Sequence, residues 1–513
     1  MEKRSSLQKD IEENIGWRID EIEKRIRKHR RYFQNKAKGL PNFRNREVSI
    51  MGKFSCFFER RGSAVNGHMY DIPQEESVFP LVVERIKVGT SPWVYSSTGG
   101  DVNELDEIYK KLKKYWLKGL FTSSRERRKA LNRFKDNVED VVLRKPKKEY
   151  GAEELYTLAR ELSASLREID GIERAAVVVT QETLYRIVVG LYGSGEVEVA
   201  ESMPYITLWT SVRVKEKGKS GEFYFTKYRT TGKIEDADLE EVKEEAKKVR
   251  DYVRKGRSIR EVFGRKRNAI VFGKEASGVL IHEILGHPAE KDTESERYSS
   301  LIPRRFYRKV IASPQVNVVD DPQMRMGGEP LPGTIKYDDE GIRARKVPII
   351  RKGVFAGRLT DLHEGGVRSN GHGRGLEEIY PRMTNTVLLP GDYSMEELYE
   401  IAEEWAHQKR GKAVYVELSE GGYVGTETMT GEVDLSMARI YLIEKGELKP
   451  VIYPQMESPS IIVEFLNIGD IIAVGKQPYV FAGYCGKGKE EVPVASVAPA
   501  VVLKNVILHT KKI

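Results

Sequence analysis

The sequence predicts a mixed α/β protein of the α+β type, with helices and antiparallel strands in the first half and a mostly β second half. Three observations lead there. Apolar residues recur three and four apart in several charged segments of the first half. Short β-branched runs separated by glycine turns dominate the second. The chain has 513 residues, 40% hydrophobic and 32% charged, enough for two sizeable cores.

In order, residues 1–33 form a charged amphipathic helix with Ile11, Ile15, Ile19, Ile22 and Ile26 on its inward stripe. Strand-like runs follow at 47–58 and 79–88, then a helix over 103–118 and a basic stretch to 150. Residues 152–168 read as a helix, 175–180, 184–191, 205–214 and 222–228 as a strand meander, and 237–255 as a long charged helix. A basic, glycine-punctuated segment near 256–262 divides the chain into two domains, 1–260 and 261–513. In the second, a strand at 269–272 feeds a helix over 275–287. Strands are expected at 316–319, 347–350, 354–359, 413–417, 438–443 and 497–507, with one further helix at 394–408.

Charge is uneven. The first 150 residues hold 34 Lys and Arg against 22 Asp and Glu, a balance of +12, while the rest of the chain sums to −3. Acidic residues are interleaved with the basic ones, and no helix-turn-helix, RNP or zinc-finger pattern accompanies them. A solvated helix face is therefore expected, not a nucleic-acid partner. No apolar run approaches the ~20 residues a membrane helix needs. The first residues lack the apolar stretch of a secretory signal, and two cysteines argue for a reducing compartment, so a cytoplasmic protein is expected.

The chemistry concentrates in His282-Glu283-Ile284-Leu285-Gly286-His287. Neutral imidazole is the commonest metal ligand, and a carboxylate beside a metal-activated water can serve as its base. Histidines at i and i+4 diverge by about 40° on an α-helix, but the i and i+5 spacing here diverges by about 140°. Two such rings share a metal only where the helix widens, as in a π-bulge. Pro288, which has no N–H to donate, and Gly286, which frees the backbone, supply local causes for one. A third ligand must come from elsewhere. Cys56 sits in an apolar strand-like run that suits inert packing. Cys485, between glycines in a basic loop, fits a metal-bound thiolate or a free thiol in a turn. His363, His372 and His407 are further candidates; His372, in a mobile glycine-rich loop, is better placed near substrate.

Four elements together resemble the TldD/PmbA family, in its TldD-type, metal-bearing branch. They are the His282–His287 motif, Asp338-Asp339-Glu340-Gly341, Pro381-Arg382-Met383-Thr384-Asn385-Thr386 and Tyr484-Cys485-Gly486-Lys487. The resemblance spans about residues 262–513. It implies a zinc metallopeptidase of the HExxxH type in which His282, His287 and Cys485 hold Zn2+ and Glu283 activates water. It also implies a buried channel admitting unfolded or extended peptides, and pairing with a PmbA-like paralogous subunit or a second copy of the chain. Arg382, Thr384 and Asn385 are then substrate-facing or structural; Asp338, Asp339 and Glu340 either orient a ligand histidine or shape a turn, and the turn is the expected role. Two other classes remain: a noncatalytic peptide-binding subunit with a structural metal, and a cysteine hydrolase using Cys485.

Overall fold

The computed structural model describes residues 19–38, 48–88, 94–96, 110, 138–142, 144–192, 195–216, 218–258, 266–294, 306–362, 368–375, 378–418, 422–424, 433–436, 438–452, 460–464, 467–488 and 490–510. The expected helix at 103–118, the basic stretch before 138 and His363 lie outside them, save for isolated positions. The fold is α+β, as expected, and its two large sheets are one antiparallel but for a single parallel pair and one mixed.

In the first half, long strands β1 (Val48–Val65), β2 (His68–Val88), β5 (Ile172–Tyr192), β6 (Gly195–Glu216) and β7 (Lys219–Arg229) build one sheet with short strands β3 (Val94–Ser96) and β4 (Val138–Val142). Their order is β3-β2-β1-β5-β6-β4, with β7 also against β6, and every pair is antiparallel except β4 with β6. Asn66 and Gly67 both take positive φ, the turn that matches hairpin twist between β1 and β2. Helices α1 (Ile19–Ala37), α2 (Ala152–Arg167) and α3 (Asp236–Lys255) each bury one stripe, such as Leu155, Ala159, Leu162 and Leu166 of α2.

The expected strands 175–180 and 184–191 are one continuous strand, β5. The polar residues between them suggested a turn. Gln181 is instead buried, its amide donating to the carbonyls of Lys148 and Gly232, while its backbone pairs with both neighbouring strands.

In the second half, β8 (Asn268–Phe272) leads into α4 (Lys274–Ile281). The larger sheet also contains β9 (Val318–Asp320), β10 (Val347–Arg351), β11 (Asn385–Leu388), β12 (Ala413–Leu418), β13 (Ala438–Glu444), β14 (Glu447–Ile452) and the closing hairpin β15 (Ile471–Lys487) and β16 (Glu490–Thr510). Its main path runs β10-β9-β11-β16-β8-β12-β13-β14, with β15 laid antiparallel on β16. Helix α5 (Met395–Lys409) begins at a Ser394–Glu397 capping box. Alternation on β8 explains why both helices dock. Ile270 and Phe272 join the core with Val279 and Leu280 of α4, and Ala269 and Val271 pack with Leu398 and Ala402 of α5.

The first sheet shares apolar clusters with connecting segments of the second half. Met51, Val188, Val197 and Val199 meet Tyr337, Leu362 and Ile379. Among the described residues, no helix is long and apolar enough to cross a membrane.

Candidate metal centre

Helix α4 lies along the β15–β16 hairpin. Ser277 Oγ donates to the Ala498 carbonyl at 3.3 Å, and a Cβ on Gly278 would come within 2.8 Å of Phe481 Cβ, so glycine allows this close approach. The spacing then places the site. Nine residues of helix from Gly278 to His287 advance about 13 Å. Four residues of strand from Phe481 to Cys485 advance about 13 Å and return to the same face. Cys485 therefore arrives beside His287.

The turn carrying the histidines widens as its spacing requires. Residues His282–Gly286 form a π-helical turn, and the N–H of His287 donates to the carbonyl of His282, five residues back. The rings stand edge to face with centroids 5.0 Å apart. Gly286 has a different reason from the backbone freedom first inferred. Its φ of −63° suits any residue, but a Cβ there would fall 1.9 Å from Met383 Sδ. Glycine at this position makes room for Met383.

One donor atom each from His282, His287 and Cys485 lies within 4.8 Å of the others. His287 Nε2 and Cys485 Sγ are 3.4 Å apart. Cys485 is not in a loop but near the end of β15, and it is 1% exposed. The basic loop suggested by the sequence is the tip of the β15–β16 hairpin, where a strand edge delivers the thiol.

Burial would raise the thiol's pKa, but His287, His282 and Arg382 overcome it and hold it well below its ordinary value. Burial likewise opposes charge on His287, yet Cys485 and Glu290 raise its imidazole well above the usual range. Burial raises the Glu283 carboxyl, with the two histidines offsetting part of the effect. The Nδ1 atom of His282 is buried with no hydrogen-bond partner among the described residues. An orphaned buried nitrogen beside a thiolate and a second imidazole fits a metal that accepts N and S donors.

Two residues that sequence reasoning missed support this cluster. Glu290 is fully buried, and its Oε2 lies 3.2 Å from His287 Nδ1. Burial opposes its charge, but Lys487 and His287 keep its carboxyl well below the usual range. Lys487 Nζ donates to Glu290 at 2.8 Å and to Asp292 at 2.7 Å, so it neutralises these carboxylates and is not a prime cause of the thiol's shift. The i, i+3 spacing of His287 and Glu290 was a signal for Glu290, because carboxylates often orient metal-ligating histidines.

The residues expected near substrate are turned onto protein. His372 is fully buried, with Nε2 3.1 Å from Asp320 Oδ1 and Nδ1 2.9 Å from Asn370 Oδ1. Its glycine-rich segment is not a free loop, since Gly373–Arg374 pairs with Tyr380–Pro381. Thr384 and Thr386 hydroxyls also donate to Asp320. Asn385 donates to the Asp321 carbonyl at 2.9 Å, and Arg382 donates to the carbonyl of Cys485 and reaches toward Glu290. His407 is exposed on α5, away from this group. Asp338 does form a turn, accepting the N–H groups of Glu340 and Ile342, whereas Asp339 reaches across to Lys53 and Arg186 of the first sheet.

The described PmbA/TldA metallopeptidase C-terminal domain matches residues 265–509. This half of the chain therefore carries a C-terminal domain of the TldD/PmbA family. A metalloprotease of Methanocaldococcus jannaschii is 33% identical over 231 residues, 44% of this chain and 47% of that protein. The "Zinc metalloprotease TldD homolog" of Saccharolobus solfataricus is 27% identical over 245 residues, 46% of this chain and 50% of that protein. This chain thus spans about half the length of the curated relatives it matches. The crystal structure of TldE from Thermococcus kodakarensis superposes with a TM-score of 0.62 at 16% identity, covering 90% of this chain and 96% of that one, a likeness of fold.

Proposed function

We propose that this chain is a zinc-dependent peptidase acting on unfolded or extended peptides, with His282, His287 and Cys485 as the zinc ligands and Glu283 as the general base. The observation that carries the reading is the convergence of three N and S donors within 4.8 Å, with Glu283 in the same turn. Three protein ligands leave a fourth position open, the pattern of a catalytic and not a structural zinc site. The metalloprotease names of the relatives support the same reading.

When bound, zinc supplies Lewis acidity that polarises a peptide carbonyl and eases deprotonation of water. Glu283 takes that water's proton and delivers it to the leaving amine. Its burial-raised pKa is the direction that suits a base working near neutrality. Glu290 holds Nδ1 of His287, which leaves Nε2 toward Cys485, and Lys487 fixes Glu290 in turn. The thiolate donates more negative charge than a third imidazole would, so more of the acceleration falls to Glu283 and to substrate positioning.

We assign His372, Arg382, Thr384 and Asn385 to bracing the site from behind, because each is buried against protein partners. Domains 1–260 and 261–513, a cytoplasmic setting, and assembly with a PmbA-like subunit or as a homodimer complete the proposal. The contact of 3.4 Å between His287 and Cys485 also favours a second reading, a cysteine hydrolase. Hydrolysis of an unfolded test peptide that a chelator abolishes and zinc restores supports the zinc enzyme. Hydrolysis that survives chelation and is stopped by thiol alkylation supports the second.

A further inference from the structure

Between the first sheet and the β15–β16 hairpin lies a narrow cavity bordered by Lys53, Leu184, Arg186, Asp339, Arg374 and Tyr484. It is separate from the three donors yet adjoins them. Tyr484 precedes Cys485, and Pro493, which pairs with Tyr484 across the hairpin, also lines it. Because side chains alternate along a strand, Tyr484 and Pro493 turn to the opposite side of the hairpin from the thiol.

The cations on its wall differ in one respect. Lys53 is committed to Asp339 at 3.1 Å and to the Gly375 carbonyl at 2.5 Å. Arg186 is saturated by Asp339, Glu201 and the Tyr337 carbonyl. Arg374 is only 4% exposed and spends two of its N–H groups on carbonyls, those of Met383 at 2.6 Å and Pro493 at 2.8 Å. No carboxylate lies within 4.0 Å of it among the described residues, and its other N–H groups make no hydrogen bond there. A guanidinium has five donors in a fixed fork. Leaving several unused in a buried cation is costly unless a ligand supplies the acceptors.

We propose that this cavity binds a carboxylate of the peptide, with Arg374 as its fork-shaped donor. The inference rests on the peptide substrate proposed above. A planar carboxylate matches the guanidinium fork and supplies the hydrogen-bonded anion that Arg374 lacks, since Asp339 acts on it only from longer range. Lys53 and Arg186 keep Asp339 occupied, so it does not take that place. Two further carboxylates stand at the wall, and neither closes the site. Glu182 accepts a hydrogen bond from Tyr484 at 2.7 Å, with burial raising its pKa and so reducing its charge, and Glu491 is exposed. The carboxylate has two sources, the peptide's C-terminus or an Asp or Glu side chain.

The test measures binding, so that it does not depend on turnover. Full-length Glu283→Gln protein is titrated with two fluorescent peptide pairs. One pair has a free or amidated C-terminus; the other is amidated and carries Glu or Gln. At least one pair should show roughly tenfold tighter binding of the acid, the size expected for a charge-assisted hydrogen bond, and the pair that responds identifies the source. Arg374→Met should erase that difference. Since Arg374 also ties two carbonyls, Leu184→Phe fills the cavity from the opposite wall and should erase it as well. Equal binding of acid and amide in both pairs overturns the proposal, and so does a difference that survives Leu184→Phe. Wild-type protein that keeps the acid preference but hydrolyses nothing refutes the peptidase and leaves this site standing.

Discussion

His287 and Cys485 touch, Nε2 to Sγ at 3.4 Å, although 198 residues separate them. Two features bring them together. The helix widens by one residue so that His287 follows His282 round to the same side, and the β15 strand runs past α4 at matched length. The site is thus set by helix-on-hairpin packing, and its sensitivity to substitution follows from that packing.

Gly286→Ala should destabilise the fold by about 1–3 kcal/mol, because a methyl group would press into Met383 Sδ at 1.9 Å. Denaturant unfolding of the variant checks this. Adding Met383→Ala should recover part of the loss, since it removes the clashing group; a double variant less stable than the sum of its singles would contradict the packing account.

Glu290→Gln should weaken zinc binding about 10- to 100-fold while leaving all three ligands in place. The amide keeps the shape but loses the charge that Lys487 and His287 face. Competition with a chelating dye measures the change. An unaltered affinity would make Glu290 a purely structural carboxylate.

Zinc binding should release at least one proton per chain near neutral pH. In the metal-free chain, the pKa of His287 is raised well above its usual range and that of His282 is raised too, so zinc must displace protons from the imidazoles. The lowered pKa of Cys485 means the thiolate already exists and contributes none. Affinity should therefore weaken as pH falls, and proton release should fade once pH rises above the His287 value. Calorimetric titration in buffers of different ionisation enthalpy reads the proton count directly.

Much of this was legible in the chain. The i, i+5 spacing demanded a widened helix, and a π-turn is where it was needed. The alternating burial of β8 and the capping box of α5 follow local rules that a sequence displays. What stayed hidden is non-local. Lys487 read as part of a basic loop around a thiol until β15 placed it over Glu290 and Asp292. His372 looked like a loop residue because glycines surround it, but Asp320, more than fifty residues earlier in the chain, buries it. Asp339 read as part of a turn, and only the packing of the two sheets reveals its partners Lys53 and Arg186.

Asp339→Asn should cost about 3–5 kcal/mol, because it leaves two buried cations without their shared carboxylate. Burial works against that charge, but Lys53 and Arg186 hold its pKa below the ordinary range. A depressed carboxyl contributes its full stability above about pH 4 and loses it as pH falls through the lowered value. The stability gap between wild type and variant should accordingly be widest at neutral pH and narrow in acid. Unfolding curves at several pH values check the sign.

The central claim is that Glu283 moves a proton while His282, His287 and Cys485 hold the metal. Elemental analysis and peptide hydrolysis measured together on Glu283→Ala and Cys485→Ser proteins test it most directly. The account predicts about one zinc per chain in the wild type and in Glu283→Ala, with hydrolysis in the latter reduced by orders of magnitude. It predicts that Cys485→Ser loses zinc as severely as His287→Ala. Full zinc in Cys485→Ser, or lost zinc in Glu283→Ala, would contradict it.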